Sequence, residues 1–107
     1  MSGWGVLVLA GAVEIAWSQT IRPTEGFTRL GPTVLCLVLG GTAVYLLSQA
    51  MQTVPVGTAY VVFTGIGAVG AVTLGVALYD DPLSLGRLAA LALIVGGIAL
   101  ARATSGP

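Results

Sequence analysis

Residues 3–21 read GWGVLVLAGAVEIAWSQTI, an apolar run interrupted by one acidic residue, Glu14. Wound as an α-helix at about 1.5 Å per residue, such a run crosses the roughly 30 Å hydrocarbon layer of a bilayer. It stops at Arg22-Pro23-Thr24-Glu25-Gly26, where charges and helix breakers cluster. Three more runs of similar character follow, at residues 32–51, 56–79 and 83–103. Pro32 falls in a first helical turn, where a missing N–H costs nothing. Gln52-Thr53-Val54-Pro55 turns the chain between the second and third runs, and Asp80-Asp81-Pro82 between the third and fourth. The acids are expected to complement the N-terminal dipole of the fourth helix. The expected architecture is an all-α integral membrane protein, a single domain over residues 1–107 with four transmembrane helices.

Composition supports that reading. Hydrophobic residues make up 56% of the 107 and charged residues 7%, and the mean hydropathy of +1.00 exceeds what a soluble domain needs to fill its core. A formal net charge of zero leaves no basic patch for nucleic acid and no polybasic stretch for anionic lipid. The single cysteine, Cys36, lies in an apolar run and reads as a buried, inert thiol. No positively charged segment precedes the first run, and no small-residue cleavage site in a polar setting follows it, so it is expected to stay as a helix. Trp4 and Tyr79 near span ends suit interfacial anchoring. Arg22, Arg29 and Arg87 fall on the side of the first and third loops and Arg102 on the side of the termini, a modest bias toward cytoplasmic loops one and three.

Glu14 is the residue that calls for a function. A carboxylate at mid-span costs about 2.5–3.5 kcal/mol on insertion scales, and a chain this poor in charge should not carry one idly. Hydrocarbon favours the neutral, protonated acid, which brings proton exchange toward physiological conditions. The alternative is a protonated glutamate that merely bonds within the bundle. Helical spacing puts Ala10, Trp17, Ser18 and Ile21 on the face of Glu14. Trp17 can lie against a planar cation or simply fill space. Ser18 can bond the carboxylate or its own helix.

On the third span Tyr60, Phe63, Thr64 and Gly67 recur at three and four residues and form a second wall; the Tyr60 phenol is expected to pair with Glu14 or with backbone or interfacial water. Gly65-Ile66-Gly67-Ala68-Val69-Gly70 spells a dinucleotide-binding pattern, but it lies at mid-membrane without the strand and helix start that pattern needs. Gly65, Gly67 and Gly70 instead permit close helix contact or a bend. In the fourth span Ala90, Ala92, Gly96 and Gly97 form a small-residue seam suited to helix association. Histidine is absent, and no catalytic triad or metal-ligand group is present, so neither an enzyme nor a resident cofactor or metal is expected.

Together these residues resemble the small multidrug resistance family of bacterial exporters over essentially the whole chain. The resemblance rests on Glu14, on Glu25-Gly26-Phe27-Thr28-Arg29-Leu30 in the first loop, on Pro55-Val56-Gly57-Thr58-Ala59-Tyr60 entering the third helix, and on the glycine-rich fourth helix. It implies an antiparallel dimer of two four-helix chains in the bacterial inner membrane, whose paired glutamates bind either protons or a cationic substrate. Trp17 and the run Thr64–Gly70 look like the guanidinium-exporting branch; the broad quaternary-ammonium branch usually has glycine near position 17. Three positions depart from the family pattern: Ala43 for a usual serine, Phe63 for a usual tryptophan, and Arg22 for a usual lysine.

The expected function is proton-coupled export of small organic cations, guanidinium-like or quaternary ammonium. Glu14 binds proton or substrate, Trp17, Tyr60, Phe63, Ser18 and Thr64 shape the site, and Ala90 and Gly97 belong to the association seam. The alternatives are a non-transporting accessory chain, an unequal subunit of a heterodimer, and lipid-headgroup flipping.

Overall fold

The computed structural model describes residues 2–104. Four helices follow one another: α1 (Gly3–Ile21), α2 (Leu30–Ala50), α3 (Val56–Tyr79) and α4 (Leu85–Thr104). Each is long and apolar enough to span a membrane. Helices are what such sequences must form, because in lipid every backbone N–H and C=O has to be satisfied within the segment. α2 starts two residues before the expected boundary, so Pro32 is its third residue and still lies among the N–H groups that have no helical acceptor.

The corners are built by specific bonds. Ser2 caps α1, its Oγ accepting from Gly5 N at 3.1 Å. After α1 a 3-10 turn, Arg22–Thr24, leads into three successive left-handed residues, Glu25 (φ 49°), Gly26 (φ 72°) and Phe27 (φ 65°). The buried Thr24 ties this corner together. Its Oγ1 donates to Ile21 O at 2.6 Å and accepts from Phe27 N at 3.3 Å, while its carbonyl accepts from Thr28 N and Arg29 N at 2.9 and 3.1 Å.

The corner between α3 and α4 departs from expectation. Asp80, at φ 54°, ends α3, and Asp81 N donates to Gly75 O at 3.2 Å, with the Asp81 carboxylate folded over Gly75. The acids therefore terminate α3, and the cap of α4 is Ser84, whose Oγ accepts from Arg87 N at 3.1 Å. Leu83 and Ser84 lie ahead of the helix for the same reason. Arg87 reaches back to the Pro82 carbonyl at 3.2 Å, so its charge belongs to this loop although its Cα is inside α4.

α1 is the central helix, with α2 and α3 packed on it, while α4 packs along α3 and reaches α1 through Arg102 over the Trp4 ring. The core runs through Leu7 and Ala10 of α1, Ala43, Leu47 and Ala50 of α2, Val54 of the second loop, and Ala59, Val62 and Phe63 of α3. Four of these nine are alanine, which lets the helices approach closely where packing rather than water exclusion draws them together. α4 has no buried residue; Leu91, Ile94, Ile98 and Ala101 form the half-buried stripe that meets α3. The whole is a slab of 45 × 35 × 19 Å, one or two helices deep.

Candidate cation and proton site

Glu14 sits two-thirds of the way along α1, in a stretch where α1 and α3 are in close contact. Glycine makes the approach possible: a Cβ at Gly11 would strike Ile66, one at Gly70 would strike Ile15, and one at Gly67 would strike the Glu14 carboxyl group itself. The Glu14 side chain thus lies directly on the backbone of α3. Its Oε2 is buried and has no hydrogen-bond partner among the described residues. A buried carboxyl oxygen without a donor costs on the order of 1–3 kcal/mol or more, so the position is held at the expense of stability.

Beside Glu14 opens a cleft of about 420 Å³. α1 contributes Glu14 and Trp17, α3 contributes Tyr60 and Phe63, and α2 contributes Cys36, Leu37, Gly40, Gly41, Ala43, Val44 and Leu47. The Trp17 indole rests on Gly40, where an added Cβ would lie 2.8 Å from Nε1. Tyr60 and Phe63 sit with ring centroids 6.4 Å apart and planes tilted by 35°. The cleft therefore offers one carboxyl group among three aromatic rings, a setting in which a cation gains from both the charge and the ring faces.

Of the six side chains singled out from the sequence, Glu14, Trp17, Tyr60 and Phe63 line this cleft. Ser18 and Thr64 do not. Ser18 Oγ donates to Ile15 O at 2.6 Å and accepts from Gln19 Nε2 at 3.1 Å, and Thr64 Oγ1 donates to Tyr60 O at 2.8 Å. Both hydroxyls satisfy their own helices, the usual recourse of Ser and Thr in hydrocarbon. The expected bond between the Tyr60 phenol and Glu14 is likewise not formed within the chain; the two groups share the cleft and Tyr60 is 55% exposed.

Apart from Ala43, which the family pattern singles out, the α2 wall is not legible in the sequence reading. Its signal is the spacing of small residues, Cys36, Gly40 and Ala43, on one face of a helix otherwise rich in Leu and Val. The fourth-helix seam faces outward: Ala90 is exposed, and a Cβ at Gly96 or Gly97 would meet nothing. Within the chain the α3–α4 contact is made instead by Ile94 and Ile98 against Gly65. Trp4 and Tyr79 each lie under an arginine at opposite ends of the molecule, Arg102 at 5.0 Å and Arg22 at 5.9 Å from the ring centroids.

Four membrane-length helices, an intramembrane carboxyl group and an aromatic cleft define a multi-pass membrane transporter of small cations. No group of metal-ligating side chains occurs among the described residues. Residues 2–94 match the family described as Small Multidrug Resistance protein, and the chain belongs to that family; it is a transporter, not an enzyme. It is 47% identical to guanidinium exporters of Citrobacter freundii and Salmonella typhimurium over 95 residues, covering 89% of this chain and 90% of theirs. It is 45% identical to the guanidinium exporter of Yersinia pestis, over 89% of this chain and 91% of that protein.

Proposed function

We propose that this chain exchanges a guanidinium-like or quaternary-ammonium cation for protons at Glu14, working as an antiparallel homodimer in the bacterial inner membrane. The observation that carries this reading is the unpartnered Glu14 oxygen at the wall of an aromatic cleft. Proton and cation are the two ligands that relieve such a group, and each excludes the other. In a dimer two such carboxyl groups share one low-dielectric space, cannot both ionise cheaply, and titrate as a pair. A cation entering the space neutralises the charge that a departing proton leaves behind, and protons returning from the opposite side displace it. The 19 Å depth of the slab supports a dimer, because one chain leaves the cleft side of Glu14 uncovered.

The names of the relatives favour guanidinium as substrate. The apolar floor at Ala43, 3% exposed, favours a second reading, in which a non-identical partner supplies the missing polar group. Expression of this chain alone separates the two: full transport without another gene product excludes an obligate heterodimer.

The test of the function is proton release from purified protein on addition of guanidinium or tetraalkylammonium. Release is expected for the native chain and lost in Glu14→Gln, which still inserts and dimerises. Glu14→Asp is expected to keep exchange with a shifted pH optimum. Native rates of cation-driven proton flux in Glu14→Gln would overturn the assignment.

A further inference from the structure

A second cavity, of about 230 Å³, opens between α1 and α3 at the end that carries the first and third loops. Ser18, Gln19 and Arg22 line it from α1, Gly75 and Tyr79 from α3, and Asp81 from the third loop. It shares no residue with the substrate cleft. Both helices end here, α1 giving way to its 3-10 turn at Arg22 and α3 stopping at Tyr79. In a chain whose helices span a bilayer, such an end lies at the level of the phospholipid headgroups. On α3 the lining continues inward to Ala71, a little over two turns or about 12 Å below Tyr79.

The polar groups are sorted along this depth. At the mouth the Arg22 guanidinium stands over the Tyr79 ring at 5.9 Å. One turn further in, the Asp81 carboxylate folds over Gly75. On the facing helix Gln19 Nε2 donates to Ser18 Oγ at 3.1 Å, and that hydroxyl donates to Ile15 O. The inner wall is therefore rich in acceptors, the Asp81 carboxylate and the Gln19 amide oxygen, while the donors of Arg22 lie outside it. Opposite charges line one cavity without meeting. Among the described residues Arg22 and Asp81 form no ion pair with each other, and neither the guanidinium nor the carboxylate takes part in a hydrogen bond.

We infer that this cavity holds the headgroup of a zwitterionic phospholipid with a primary ammonium, of the ethanolamine type, its phosphate on Arg22 and its ammonium on Asp81. Two separated charges of opposite sign select a ligand that carries both. A purely anionic head satisfies Arg22 and sets a like charge beside Asp81. The arginine fork matches phosphate oxygens in pairs, and the Tyr79 ring beneath supports it. A primary ammonium donates three hydrogen bonds, enough for the Asp81 carboxylate and the Gln19 oxygen together, whereas the trimethylammonium of a choline head donates none. The source is a lipid because the mouth lies at the membrane boundary beside apolar surface: Ile21 and Leu78, the chain neighbours of Arg22 and Tyr79, are exposed and suit acyl chains of the same molecule. The site stands apart from Glu14 and does not depend on the proton-coupled reading. A bound headgroup ties α1, α3 and the third loop together at one end of the chain.

The experiment measures, by native mass spectrometry of delipidated protein in detergent, the affinities for phosphatidylethanolamine, phosphatidylcholine and phosphatidylglycerol with identical acyl chains. The native chain should bind the ethanolamine lipid about tenfold more tightly than either of the others, a factor that one hydrogen bond between charged groups supplies. Asp81→Asn should bring it down to the level of the choline lipid while leaving the glycerol lipid no weaker. Arg22→Gln should weaken the ethanolamine and glycerol lipids alike, each at least about fivefold on the same scale. Because the lipids are compared within each variant, a loss of stability alone does not move the ratios. If Asp81→Asn does not fold, Gln19→Leu decides the ammonium contact by a severalfold fall in the ethanolamine-to-choline ratio. Native affinities within about twofold of one another, or an ethanolamine preference unchanged in the variants, would overturn the site. Displacement of the lipid by equimolar soluble phosphoethanolamine would overturn its assignment to a lipid.

Discussion

The α1–α3 contact and the α3–α4 contact are both made through glycines of one short run, yet they do opposite things. Gly67 and Gly70 bring α3 against α1 so closely that the backbone of one helix touches the acid of the other, and Gly67 is buried. Gly65 receives Ile94 and Ile98 from α4, a helix with no buried residue and with its own glycines turned outward. The first contact is a fixed partition around a charge. The second is a shallow seat for a helix whose remaining surface is free to meet lipid or another chain. Composition does not separate them, because Gly among Val, Ile and Leu describes both; the difference lies in what the facing helix carries.

That difference is open to attack. Gly67→Leu places a side chain where the Glu14 carboxyl lies, so it should cost about 1–3 kcal/mol of folding stability by overpacking and abolish cation-driven proton release. Unfolding in mixed micelles together with the release assay checks both. A variant that keeps native release would show that Glu14 does not need its place on α3. Gly97→Leu, on the outward face of α4, should change chain stability by less than about 0.5 kcal/mol, as exposed substitutions do. Its effect should appear instead in the proportion of dimer trapped by crosslinking. Chain stability falling as far as in Gly67→Leu would erase the distinction between the two contacts. The smallest effect is expected at the first corner, where Glu25→Gly removes a side chain from left-handed backbone. The relief is offset by the greater freedom of glycine in the unfolded chain, leaving a gain of a few tenths of a kcal/mol at most, read from the same micelle titration.

Much of the site could be read before the fold was known, and for a physical reason. Glu14, Trp17, Tyr60 and Phe63 are conspicuous in hydrocarbon, and helical spacing alone puts the first two on one face and the last two on another. Cys36 and Gly40 escaped because they act by being small, and in a helix bathed by lipid on one side and protein on the other, small apolar residues mark no face; Ala43 stood out only as a departure from the family pattern. Ser18 and Thr64 were drawn into the site by their hydroxyls, which turn out to be spent on carbonyls one turn back. Asp80 and Asp81 were assigned to the wrong helix because an acid between two helices can end one or start the other; the left-handed φ of Asp80 and the carboxylate of Asp81 over Gly75 settle it for α3.

The first corner has a mechanical consequence. Three left-handed residues in succession, two of them bearing side chains, cost on the order of 1–2 kcal/mol for each non-glycine, and they persist because Thr24 bonds both sides of the turn from a buried position. A joint built this way is a weld rather than a pivot. α1 and α2, welded at one end and packed along their length, then travel as one strut, and any rocking that exposes Glu14 first to one aqueous phase and then to the other has to be taken up at the joints of α3.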